Sequence, residues 1–142
     1  MYTKKIRSRK EKTVYPSEFE QQCLVFQWAQ WNIKKYPHLK LLHSSLNGVK
    51  LSIGQAIKAK KSGMTKGIPD INLPFSCLEY TQLYIEMKVG KNKLTDEQKE
   101  LRELLVLGGA FYSVAYSAKE AIDTIEKYVV QCRPLKVTDG TT

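Results

Sequence analysis

Apolar and polar positions alternate along this chain in blocks whose periods predict helices and strands in turn. Residues 17–31 repeat at helical spacing, with Leu24, Val25, Trp28 and Trp31 in the apolar stripe. Ser17 stands before the block as N-cap, and Glu18 and Glu20 occupy the first turn, where the helix dipole favours acids. Pro37 breaks the pattern. Leu39 to Leu46 then reads as a strand, closed by a turn at Asn47-Gly48. A short helix is expected over Ser52 to Ser62, with Lys58, Lys60 and Lys61 near its end and Gly63 as its stop. Residues 63–68 form a polar loop between glycines that carries Lys66.

The second half continues the alternation. Asp70 to Phe75 and Gln82 to Val89 read as two strands joined by a hairpin connection over Ser76 to Thr81. Thr95 opens a helix as N-cap with Gln98 at the N3 position, and Leu101, Leu104 and Leu105 are expected on its buried face. Gly108-Gly109 ends it. Ala110 to Ala115 is an apolar strand. Ser117 and Glu120 form a capping box for a last helix with Ala121, Ile122, Ile125 and Tyr128 on the core side. The order helix, strand, helix, strand, strand, helix, strand, helix implies an α/β fold, a central mixed sheet flanked by helices. It divides the chain into a disordered basic arm (1–16), one folded domain (17–130) and a flexible tail (131–142).

Charge sharpens this picture. The 142 residues carry a net charge of +9, of which the arm supplies +5 through Lys4, Lys5, Arg7, Arg9, Lys10 and Lys12 against Glu11. A basic arm on a basic domain suits a polyanion, most simply nucleic acid. A solvated tail is the plainer alternative. No apolar run approaches the ~20 residues of a membrane span, and the basic N-terminus has no apolar segment after it, so neither a membrane partner nor a secretory signal is expected. Cys23, Cys77 and Cys132 lack Cys-x-x-Cys spacing and make no zinc pattern with His38 and His43, which fits reduced thiols in a cytoplasm.

The chemistry concentrates at Asp70, Glu86 and Lys88. A carboxylate on a mostly apolar strand costs free energy unless something compensates it. Residues i and i+2 share a face of a strand, so Glu86 and Lys88 point together while Ile85, Met87 and Val89 point into the core. Asp70 and Glu86 then converge on one divalent ion, with the Met87 carbonyl within reach. Mg²⁺ takes hard oxygen ligands and keeps several waters, so two carboxylates suffice when a substrate phosphate joins them. Each piece alone is ordinary: Pro-Asp is a common turn and Glu-x-Lys a common surface pattern. His43 reads as a satisfied polar residue rather than a ligand. Asn47-Gly48 is either a plain turn or a close approach for a phosphate. Lys58, Lys60, Lys61 and Lys66 are either a solvated face or a track for DNA phosphates, and the net charge favours the track.

Taken together, Pro69-Asp70 followed by Glu86-Met87-Lys88 resembles the PD-(D/E)xK signature of restriction-endonuclease-like nucleases. Glu18 with Gln22, Trp28, His43 with Asn47-Gly48, Gly63…Lys66-Gly67-Ile68-Pro69-Asp70, Leu94-Thr95…Gln98 and the Gly-Ala-Phe-Tyr strand at 109–112 narrow the match. Over residues 17 to 130 the chain resembles the VRR-NUC family, in the short stand-alone form typical of bacterial viruses.

That resemblance implies a restriction-endonuclease-like core and a nuclease requiring Mg²⁺ or Mn²⁺ that cuts DNA by structure rather than sequence. Stand-alone members are associated with homodimers acting on branched DNA such as Holliday junctions, and larger relatives with crosslink repair. Carried onto this chain, Asp70 and Glu86 hold metal, Lys88 positions the water, Gln98 lies beside the site, and an acid on the first helix completes it. Glu18 keeps the family-like spacing to Gln22 and is preferred to Glu20. Flap, nick or end cleavage on the same fold, or a non-catalytic DNA-binding module, are the alternatives. RNA binding is weaker, since the sequence shows no run of exposed aromatics to stack bases.

Overall fold

The computed structural model describes residues 14–132; most of the expected arm (residues 1–13) and of the expected tail (residues 133–142) lies outside the described residues. Four helices, α1 (Glu18–Asn32), α2 (Ile53–Lys61), α3 (Asp96–Leu107) and α4 (Ala118–Gln131), flank four strands, β1 (His43–Ser44), β2 (Ile71–Leu73), β3 (Leu83–Met87) and β4 (Phe111–Ala115). The strands form one mixed sheet in the order β1-β2-β3-β4. The pairs β1·β2 and β2·β3 are antiparallel, and β3·β4 is parallel, with α3 as the crossover. Among the described residues no helix is long and apolar enough to cross a membrane.

The two faces of the sheet differ in chemistry. Ile71, Leu73, Leu83, Ile85 and Met87 alternate onto one face and are fully buried. There they meet Val25 and Ala29 of α1 and Ala121, Ile125 and Val129 of α4 in one core cluster. The opposite face carries Glu86, Tyr84 and Tyr112, and α3 packs over its β4 side. A sheet with one apolar face and one partly covered face can hold charged side chains in shelter without placing them in the core.

Local signals explain most element ends. Ser17, Ser52 and Thr95 cap α1, α2 and α3 with complete capping boxes to Glu20, Gln55 and Gln98. Gly63 follows α2 with φ +98°, the left-handed geometry glycine adopts without strain. At α4 only half of the expected box forms. Ser117 accepts from the Glu120 amide, but the Glu120 carboxylate takes the Tyr116 N–H (2.7 Å) rather than the N-cap's own amide.

Three expectations are corrected. The strand expected over Leu39–Leu46 is a 3-10 turn, Pro37–Leu41, followed by the two-residue β1. Proline at its first position presets the turn, which buries His38 and Leu39 before any strand can start. On α1, Trp31 and Leu24 face solvent (75% and 49% exposed), and Trp28 is only partly buried. Apolar residues surround this helix, so periodicity alone does not pick the packed side, which is Val25 and Ala29. On α3, Leu104 is exposed and only Leu101 and Leu105 are half-buried, because this helix crosses the edge of the sheet rather than its centre.

All three cysteines are free thiols. Cys77 and Cys132 are buried and both donate to the Tyr128 carbonyl (3.2 and 3.3 Å), tying the β2–β3 connection to the end of α4.

Candidate active site

Asp70 immediately precedes β2. Ile71 pairs with Ile85, so one further step of the antiparallel register sets Asp70 opposite Glu86. The Asp70 carboxylate accepts the Met87 N–H (2.8 Å), and its carbonyl accepts the Ser45 N–H (2.9 Å). The residue is thereby fixed to β3 on one side and to the end of β1 on the other. Burial pushes its carboxyl above the usual aspartate value, the Met87 N–H opposes that, and the charge of Glu18 adds to it.

Glu86 is 2% exposed. Its Oε1 accepts from Gln98 Nε2 (2.6 Å) and from Lys88 Nζ (3.1 Å), while its Oε2 is buried without a hydrogen-bond partner. Burial, and then the neighbouring Asp70 charge, raise its carboxyl to about 7, with Lys88 pulling the other way. Burial raises both acids, and the Asp70 charge raises Glu86 further, so a cation placed between them would relieve both.

Lys88 is also buried, and its main chain extends the β3–β4 ladder through its N–H to the Ala115 carbonyl (2.9 Å). Gln98 has both ends of its amide committed: Oε1 accepts from Thr95 N (2.9 Å) and Nε2 donates to Glu86. The capping position that sets α3 therefore also aims the glutamine at the carboxylate.

The two acids of the first turn of α1 separate cleanly. Glu20 is spent on its own helix, accepting from Ser17 N and Oγ (both 2.8 Å), which holds its carboxyl below the usual value. Glu18 is half-buried, lines a cavity of about 180 Å³ together with Asp70, and accepts from Asn92 Nδ2 (3.4 Å).

The other predicted residues sit farther out. Asn47 donates to the Thr65 and Ile68 carbonyls (both 3.0 Å), so its amide fastens the 63–68 loop instead of standing free. Gly48 lines the Glu18–Asp70 cavity, and a Cβ there would meet nothing within 4 Å. Lys58, Lys60 and Lys61 are exposed on α2, a helix with no buried residue. Lys66 pairs with Glu97 (2.9 Å) at the surface and holds that carboxyl down to about 2. His43 lies between the Leu41 carbonyl (2.9 Å) and Asn72 (3.4 Å), away from the acids' ligand atoms.

Tyr112 belongs to the Gly-Ala-Phe-Tyr strand, and the sheet gives it a place near the site that the strand pattern does not imply. The parallel register places it beside Tyr84, two positions from the residue paired with Glu86, and its buried hydroxyl has no partner. Burial, and then the Glu86 charge, push its phenol far up. The Gly-Ala-Phe-Tyr pattern gave the strand, and nothing short of the β3–β4 register gave its neighbour.

Among the described residues no three His, Cys, Asp or Glu side chains form a closed metal cage. The donor set fits a hard cation that keeps its own waters: two facing carboxylates, one of them with a buried, unpartnered oxygen. It does not fit zinc, which would need nitrogen or sulfur ligands here.

A mixed sheet with Asp70 facing Glu86-x-Lys88 across its antiparallel pair defines a restriction-endonuclease-like α/β protein. Two solved structures match the chain. One, described as "VRR_NUC domain protein", is 28% identical, with a TM-score of 0.67 over 82% of this chain and 91% of that one. No family model and no curated protein matches. The chain has the fold of the VRR-NUC family.

Proposed function

We propose that this chain is a Mg²⁺- or Mn²⁺-dependent DNA endonuclease that cuts branched DNA, with the four-way Holliday junction as its substrate and a homodimer as its working form. The observation that carries this reading is the sheltered pair of facing acids, Asp70 and Glu86, with Lys88 and Gln98 both on Glu86 Oε1 and Oε2 left open. The neighbour described as a VRR_NUC domain protein supports a nuclease.

Asp70, Glu86 and the Met87 carbonyl are the groups that would hold the metal, with Glu18 alongside. When bound, the ion supplies neutralisation of the phosphate charge and a more acidic water. The chain's own residues do the rest. The Met87 N–H fixes the Asp70 carboxylate, and Gln98 fixes that of Glu86, so neither acid must reorganise when a phosphate arrives. The Lys88 ammonium holds the attacking water next to Glu86 and stabilises the hydroxide character it gains. Water oxygen bonds to phosphorus in line with the departing 3′ oxygen, whose P–O bond breaks. A 5′-phosphate and, after protonation, a 3′-hydroxyl remain.

Exposed Lys58, Lys60 and Lys61 give the surrounding surface its attraction for DNA phosphates, and Lys66 can exchange its exposed partner Glu97 for a phosphate at little cost. Each chain carries one such site. Symmetric cutting of a four-way junction therefore requires two chains related by a two-fold axis.

The test is cleavage of a labelled four-way junction beside linear duplex and flap DNA, with Mg²⁺, Mn²⁺ or EDTA. Paired, metal-dependent cuts confined to the junction, lost in Asp70→Asn, are the expected result. Cutting of flaps or of all duplexes would keep the nuclease and discard junction resolution. Tight binding with no cutting under any metal would leave a DNA-binding module.

A further inference from the structure

Beyond Glu18 and Asp70, the cavity they line has walls that the hydrolytic chemistry does not use. The remainder is Phe19, Val49 and the polar side chains of Gln22 and Ser44, above Ser45 and Gly48. Phe19 stands 70% exposed in the first turn of α1, directly after Glu18, and Val49 is 48% exposed. A single surface phenylalanine is unremarkable by itself. Here it is a wall of a cavity that opens onto a candidate catalytic acid.

The chemistry of the lining selects its occupant. Its two carboxylates, Glu18 and Asp70, are the ones that would face the metal and the scissile phosphate, and among the described residues no lysine or arginine lines the rest, which therefore carries no charge to hold a second phosphate. What remains of a nucleotide is its neutral part. A flat aromatic wall with an aliphatic one offers stacking, and an amide with a hydroxyl offers hydrogen bonds to a ring edge. The volume, about 180 Å³, is below the range of drug-sized ligands and suits a single ring system.

More aromatic surface adjoins the same mouth. Tyr116 is 43% exposed and donates its hydroxyl to the Asn92 carbonyl (3.2 Å), while Asn92 reaches Glu18. Tyr15, 53% exposed, lies against Gly90, whose φ of +58° is the left-handed geometry that favours glycine. Phe19 and Tyr116 come from distant segments, and Asn92 links Tyr116 to Glu18 beside the cavity.

We propose that the cavity bounded by Phe19 seats one nucleobase that comes out of its pair at the branch point, beside the scissile phosphate. The proposal rests on the nuclease reading for the word scissile, but the base site is testable without cleavage. A base inside an intact duplex cannot enter. A base at a branch point, where pairing and stacking are weakest, leaves its pair at lower cost and can enter.

The experiment uses the full chain in EDTA and splayed-arm DNA carrying 2-aminopurine at the first unpaired position. Wild type and Phe19→Tyr are expected to quench the probe by stacking. Phe19→Ala is expected to lose the quench and to bind this DNA about five- to a hundredfold more weakly, with binding to fully paired duplex unchanged. Unaltered quench and affinity in Phe19→Ala, or an equal loss on paired duplex, would overturn the base site. Wild-type chain that quenches the probe but never cuts DNA with added metal would sink the nuclease reading and leave the base site standing.

Discussion

Lys88 Nζ sits 3.1 Å from Glu86 Oε1 with both side chains almost wholly withdrawn from solvent. Such a pair adds little net stability, but removing one partner strands the other charge, typically at about 3–5 kcal/mol. Glu86 has an escape, because it can take up a proton. Lys88→Ala should therefore be strongly destabilised at about pH 8 and much less so at about pH 5, as read by urea unfolding at each pH. The double variant Glu86→Gln, Lys88→Met should recover stability at both while remaining inactive. Equal losses from Lys88→Ala at the two pH values would show that Glu86 does not respond.

The same acids set the pH dependence of the metal-free chain. Burial and Asp70 raise the folded Glu86 carboxyl from an ordinary 4.5 to about 7. Between those values the folded chain holds a proton that the unfolded chain has released. The stabilisation is full below about 4.5 and is lost as pH rises through about 7. A divalent ion favours the ionised acids and reverses the trend. Thermal melting should thus show the metal-free protein more stable at about pH 5 than at about pH 8, with Mg²⁺ raising the melting temperature chiefly at the higher pH. A Mg²⁺ effect of equal size at both would count against Asp70 and Glu86 as its ligands.

The two acids of the first turn of α1 should part company on mutation. Glu20 completes the cap with Ser17, so Glu20→Ala should lower stability slightly and leave cleavage unchanged. Glu18 lines the cavity with Asp70, and its charge raises the carboxyls of both Asp70 and Glu86. Glu18→Gln should keep or slightly improve stability while slowing cleavage about 10- to 100-fold. Unfolding curves and single-turnover rates on the two variants decide the matter, and the reverse pattern would move the helix acid to Glu20.

How far the sequence showed this arrangement depends on how local each signal is. The capping boxes at Ser17 and Thr95 lie within four residues, so α1 and α3 were placed to within a residue, and Gln98 came with Thr95. Asp70 and Glu86 were legible as a pair because strands joined by a short hairpin must lie side by side. The Leu39–Leu46 segment departs from the expected strand because its leucines keep no period of two, and the packing of His38 and Leu39 after Pro37 fixes a 3-10 turn instead. Trp31 is exposed although large and apolar, because the packed side of α1 is set by Val25 and Ala29. Glu18 and Glu20 were separable only through side-chain partners. The surroundings of Tyr112, and the approach of Tyr116 to Glu18 through Asn92, depend on segments far apart in the chain, and no local pattern carries them.

Tyr112 allows the sharpest separation of folding from chemistry. Its hydroxyl is buried without a partner, a state that costs roughly 1–3 kcal/mol relative to a satisfied one. With the phenol pushed far above its ordinary value by burial and by Glu86, it stays protonated at any working pH and cannot serve as a base. Tyr112→Phe removes the unsatisfied group and nothing else. The variant should unfold at higher urea than wild type, by up to about 1 kcal/mol, and keep the same pH profile of cleavage. If it instead loses cleavage at unchanged stability, the hydroxyl is making its hydrogen bond in the DNA complex, and Tyr112 joins Gln98 and Lys88 around the Glu86 carboxylate.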